Sequence, residues 1–169
     1  MTKFTIRHTF DIGVDEFWEK IFFDDEFNRR LYLDTLQFKD WKVLEKTDKG
    51  GGVIERRVHC EPKSDAPAVV KKLVGDSMAY VEKGRFDPSS KRWKWEIIPS
   101  KLADKMKIAG EFWLESRGDK RSERFTDVDL QVKIFGVGGV VEGFVEKQVK
   151  DSYDIAARFT NKWIKDKGL

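Results

Sequence analysis

The 169-residue sequence predicts an α+β domain, a curved seven-stranded antiparallel sheet packed against one long C-terminal helix. Three observations carry that reading. Apolar and polar residues alternate at the start of the chain and again in six segments after residue 39, as half-buried strands require. Short Gly-, Pro- and Asp-rich punctuation separates most of those six segments, which suits antiparallel neighbours. After Gly139 the period changes to helical and stays so, without Pro, until Gly168.

Taken in order, Phe4, Ile6, His8, Phe10 and Ile12 alternate with Thr5, Arg7, Thr9 and Asp11 in a first strand that Gly13 ends. Val14, Phe17, Trp18, Ile21 and Phe22 recur at helical spacing, and Asp24 or Asp25 starts a second short helix carrying Phe27 and Leu31. Trp41 and Val43 open a strand that turns at Gly50-Gly51-Gly52; Ile54, Val58 and Cys60 return until Pro62. Residues 63–76 break the rhythm, with Ala68 to Val74 readable as a short helix or a flap. Met78, Tyr80, Glu82 and Phe86 form the next strand, followed by Trp93, Trp95 and Ile97 up to Pro99. Ile108, Gly110, Phe112 and Leu114, then Val128, Leu130, Val132 and Ile134, complete the sheet. The terminal helix puts Val141, Phe144, Val145, Val149, Ile155, Ala156, Phe159 and Trp163 on one stripe, and Glu142 in its first turn faces the positive helix end. About 25 residues of helix span about 38 Å.

Composition narrows the function. Thirteen Phe and six Trp supply a large core for one domain covering residues 1–169. Lys+Arg 33 against Asp+Glu 30, interspersed, is too mild an imbalance for nucleic acid. The single Cys60 makes no demand for an oxidising compartment, and no apolar run approaches the ~20 residues of a membrane span. A cytoplasmic protein without stable membrane insertion is the expectation, with transient membrane contact open. Its oligomeric state is not legible. His59 and Cys60 point to opposite faces of a strand, and no ligand spacing implies a metal or other cofactor. No nucleophile elbow is present, and Gly50–Gly52 reads as a hairpin turn rather than a phosphate cradle.

The element order resembles the START-like helix-grip superfamily of lipid-transfer domains, plant pathogenesis-related proteins and polyketide cyclases. Locally, Val132-Lys133-Ile134-Phe135-Gly136-Val137-Gly138-Gly139-Val140-Val141-Glu142 looks like the strand, Gly-Gly turn and Glu-bearing helix start of an uncharacterised bacterial branch. Phe135 stands where that branch commonly has Pro. Pro99 to Lys105 looks like its connection between two strands. The resemblance implies a cavity under the C-terminal helix that takes a hydrophobic molecule, often a lipid, sterol or aromatic compound.

A bent sheet and a straight helix do not touch along their whole length, so a space is expected between them. Gln148 and Ser152 interrupt the apolar stripe and would need partners in a solid core. The sheet side of the expected lining is Trp41, Ile54, Val58, Tyr80, Trp95, Phe112 and Leu130; the helix side is Val145, Gln148, Val149, Ser152 and Ala156. Small residues, Gly110 among them, leave room, and His8, Tyr80 and Glu82 are candidate polar anchors. Such a site suits a guest in a space of roughly 300–1,000 Å³. The function expected is non-enzymatic binding or transport of a hydrophobic small molecule or lipid. The alternative is a cyclase- or aromatase-like enzyme in which His8, Tyr80 or Glu82 moves protons.

Overall fold

The computed structural model describes residues 1–169. Strand β1 (Thr2–Phe10) is followed by α1 (Val14–Phe17), which runs on into a π-helical turn, Trp18–Phe22. Helix α2 (Asp25–Arg29) likewise continues as a π turn, Arg30–Thr35. Asp24 starts α2 by accepting the Phe27 N–H at 2.7 Å. Buried Asn28 locks the two short helices together, its Nδ2 donating to the carbonyls of Phe22 and Asp24.

Six strands follow: β2 (Asp40–Asp48), β3 (Ile54–Glu61), β4 (Tyr80–Asp87), β5 (Arg92–Pro99), β6 (Met106–Ser116) and β7 (Ser122–Val132). Helix α3 (Ala68–Val74) lies between β3 and β4, and α4 (Gly138–Lys167) closes the chain. The strand order is β1-β7-β6-β5-β4-β3-β2, every neighbouring pair antiparallel. The register between β2 and β3 shifts between Val43 and Glu45. This is the helix-grip arrangement, with two short helices after the first strand and the long helix last.

One face of the sheet is solvated. Its charges pair across strands, as in Lys83–Glu96, Arg85–Glu55, Arg92–Glu111 and Lys107–Asp129. The other face carries the core. Trp18 stacks on Phe112 with ring centroids 5.0 Å apart, and Phe22, Phe23, Phe86 and Trp93 pack around this pair. The aromatics of the π turn after α1, with Phe23, therefore fill the concave side over β4–β6 at the end of the sheet that holds Phe86, Trp93 and Phe112.

Three local expectations change. β7 stops at Val132 and Ile134 falls in the turn, because Lys133 N–H bonds back to the Lys105 carbonyl instead of continuing the ladder. Helix α4 starts at Gly138, so Glu142 lies beyond its first turn. The Glu142 carboxylate instead accepts the Val132 N–H at 2.7 Å and the Thr2 hydroxyl at 2.9 Å, joining helix, β7 and β1. Finally, the fully buried line of α4 is Val141, Ala157, Thr160 and Ile164. Apart from Val141, the predicted stripe lies beside this line and is half-buried.

Candidate ligand-binding site

Helix α4 packs principally on β1, β7 and the π turn after α2. Alternation sends Arg56, Val58 and Cys60 of β3, and Tyr80 and Glu82 of β4, toward the concave side. Across from them stand Tyr32 from the turn after α2, and Tyr153 from α4. All three tyrosines of the chain thus meet in one region, though 121 positions separate Tyr32 from Tyr153. Tyr32 is held by stacking on Trp41, rings 5.2 Å apart and 8° from parallel. Beneath this pair, Trp41, Val58 and Cys60 form a small core of their own.

The electrostatics identify one connected cluster. Burial raises Tyr32 and Tyr80 well above the ordinary phenol value and pushes Tyr153 up to about 12. Each also feels the charge of Glu82. Burial raises the Glu82 carboxyl, against the opposing attraction of Arg56 and the indole N–H of Trp93. The phenols stay protonated donors across the physiological range. The Cys60 thiol, also raised by burial, is no nucleophile.

Tyr32, Tyr80, Tyr153 and Glu82 point inward, yet each remains only half-buried. So do Val145, Gln148, Val149, Ser152 and Ala156 along α4. No side-chain hydrogen bond ties Tyr32, Gln148 or Ser152 to the rest of the protein, and none of these atoms is sealed from solvent. Val145, Val149, Ala156 and Tyr32 pack against the main core while staying partly exposed. Nearby sealed atoms also lack partners, among them Trp95 Nε1, Thr126 Oγ1 and the Nε of Arg56 and of Arg124.

The other expected lining residues lie elsewhere. Leu130 is fully sealed, Val58 is 2 % exposed, and Phe112 lies under Trp18, so these three are core. Trp95 folds across Gly110, where an added Cβ would come within 2.6 Å of the indole; the room expected at Gly110 is taken. Ile54 stands at the opposite end of β3 from Cys60. His8 is on edge strand β1, its Nε2 2.7 Å from Asp154 Oδ1 and its Nδ1 3.2 Å from Arg124 Nη2. It does not converge with Tyr80 and Glu82.

Sequence reading missed Tyr32, Tyr153 and Arg124. For Arg124 a signal existed: counting back by two from Leu130 through Val128 and Thr126 puts it on the inner face. Two open grooves, of about 590 and 500 Å³, lie on the opposite, solvated face. Glu45, Arg57, Lys83, Lys94 and Glu96 line the first, and Lys3, Glu111, Asp127 and Asp129 the second. They are gaps in the charged ladder, and sealed Asp129 Oδ1 beside the second also lacks a partner. No three His, Cys, Asp or Glu side chains gather as metal ligands would.

A family described as a protein of unknown function, DUF2505, matches residues 5–164. The chain belongs to the DUF2505 family. No curated protein sequence matches it. Solved structures match this DUF2505 chain in fold at low identity. The Zhui aromatase/cyclase from Streptomyces sp. R1128 superposes with a TM-score of 0.70 at 11 % identity, covering 99 % of this chain and 96 % of that one. A START superfamily protein from Mycobacterium smegmatis gives 0.62 at 10 %, covering 97 % of each chain. Ara h 8.0201 gives 0.62 at 13 %, covering 94 % and 97 %. At these identities the likeness establishes the START-like fold of the DUF2505 chain and nothing about its chemistry.

Proposed function

We propose that the protein binds or carries a hydrophobic small molecule, without catalysis, in the space between the concave sheet and α4. One observation carries the reading: Tyr153, three or four positions from Val149 and Ala156 on α4, comes together with Tyr32 and Glu82 on the concave side, and all five remain only half-buried. The apolar helix side supplies affinity through burial, and the phenol hydroxyls orient the guest. The polar side suits an aromatic or amphipathic guest better than a plain hydrocarbon. No helix is long and apolar enough to cross a membrane.

The test is native mass spectrometry of protein purified from its own host, followed by a panel of lipids, sterols and polycyclic aromatics. A retained or acquired apolar compound is expected. Ser152→Trp, which puts an indole into the space, should abolish uptake while the protein stays folded. Empty protein that takes up nothing from the panel overturns the reading.

A cyclase- or aromatase-like activity is a second reading, favoured by one feature. Glu82, raised by burial, lies within electrostatic reach of three protonated tyrosines, which is the arrangement a proton-transfer site needs. It would not use His8. Turnover of a reactive polyketone that Glu82→Gln eliminates, with binding retained, would establish this reading; binding without turnover leaves the carrier.

A further inference from the structure

Two arginines are buried on the concave side, Arg56 at 6 % and Arg124 at 7 % exposure. Neither has a carboxylate within 4.0 Å, unlike Arg7, Arg57, Arg85, Arg92 and Arg117 on the surface. A buried cation without an anion is unfavourable, and aromatic faces offset only part of that cost. Arg56 at least has Glu82, whose field it feels from the adjacent strand. Arg124 has no such neighbour. Its guanidinium sits against the rings of Tyr153, Phe10 and Phe112, at 4.8, 5.0 and 5.9 Å.

The hydrogen bonds of Arg124 sharpen the point. Nη2 donates to His8 Nδ1 at 3.2 Å. Nε is sealed without a partner, and Nη1 donates to nothing in the protein. Because Nδ1 accepts from a guanidinium, His8 is the neutral tautomer with its proton on Nε2, which donates to Asp154. The one acid in the vicinity is therefore spent on the imidazole. Asp154 and His8 aim the guanidinium without neutralising it. Thr126 Oγ1 on the same strand is also sealed and unpartnered, and the Tyr153 hydroxyl is directed toward it.

We propose that the guest is an amphipathic carboxylic acid whose carboxylate docks on Arg124 beside Tyr153, with its apolar body along Val149, Val145 and Ala156. His8 and Asp154 are positioning residues for that contact. The proposal rests on the binding reading above and adds the chemical class of the guest.

The experiment measures calorimetric affinities of two matched pairs, 2-naphthoate against methyl 2-naphthoate and dodecanoate against methyl dodecanoate. The two shapes separate aromatic from linear acids as the source of the carboxylate. In at least one pair the acid should bind about tenfold more tightly than its ester, the scale of one charge-assisted contact. Arg124→Met should erase that preference, and its Tm should hold or rise because an unpaired charge is gone. Arg56→Met should keep the preference. His8→Ala should reduce it and His8→Gln, whose amide oxygen accepts the same N–H, should restore it. Should Arg124→Met fail to fold, Arg124→Lys, lacking the guanidinium fork, should reduce the preference.

Esters that bind as tightly as their acids in the wild type overturn the anchor and leave the binding site standing. So does a preference lost in Arg56→Met and kept in Arg124→Met, which moves the anion elsewhere. Binding of no acid and no ester overturns both readings.

Discussion

Gly110 and Gly84 show how much single positions matter in this sheet. A Cβ at Gly110 would lie 2.4 Å from the Asp127 carbonyl oxygen as well as 2.6 Å from the Trp95 ring. At Gly84 it would meet Trp93 at 1.8 Å. Two indoles therefore lie flat across glycines, and neither backbone nor sealed ring has room to retreat. Gly110→Ala should cost about 1–3 kcal/mol or more by urea unfolding, as overpacked cores do. Gly143 is the contrast, an exposed helical position where an added Cβ meets nothing within 4 Å. Gly143→Ala should stabilise by about 0.5–1 kcal/mol in the same measurement. The alternation of β6 showed which way Gly110 faces. It did not show that a neighbouring strand's indole occupies the recess, because alternation fixes a face and not a rotamer.

Among the elements, the start of α4 depends on Glu142. This carboxylate joins the end of β7 to the start of β1, and the Val132 N–H, helped by the Thr2 hydroxyl and opposed by burial, holds its pKa below the ordinary carboxylate value. Glu142→Ala should destabilise by about 1–2 kcal/mol in urea, since it leaves a backbone N–H without an acceptor. The linkage has a definite sign. A depressed acid stabilises fully above its unfolded value of 4.5 and loses that contribution as pH falls through the lower folded value. The wild type and Glu142→Ala should therefore converge in stability as pH falls below 4.5. Element existence and order were legible, because strand and helix periods differ so clearly here. The partner of Glu142 was not, because sequence shows a carboxylate near a helix end but not a strand terminus ten residues upstream in chain and adjacent in space. The buried line of α4 was likewise misplaced, since an apolar stripe at the edge of a core looks the same in sequence as one sealed within it.

For the molecule as a whole, two interior groups set opposing pH responses. Burial lowers His8, with Arg124 adding to that and Asp154 opposing it, while Arg158 also lowers it from α4. Its contribution is complete above 6.5 and declines as pH falls through the depressed folded value. Glu82 is raised, so its contribution is complete below 4.5 and declines as pH rises through the elevated folded value. Thermal melts from pH 4.5 to 8 should steepen on the alkaline side of Glu82 relative to Glu82→Gln, and flatten on the acid side in His8→Gln. The seven-stranded antiparallel sheet could be reasoned from sequence because short turns dictate antiparallel neighbours. The polar cluster could not: Tyr32, Glu82, Arg124 and Tyr153 come from four separate elements, and no local pattern links them.

The slipped register between Val43 and Glu45 has a consequence for colloidal behaviour. β2 is an outermost strand, and Val43 and Leu44 on it are exposed. A straight strand of that kind offers a template on which another molecule can extend the sheet, the route by which such proteins become insoluble. The extra residue puts a kink into that template, and Lys42 and Lys46 flank it with like charge. The irregularity keeps neighbouring copies from zipping together at high concentration.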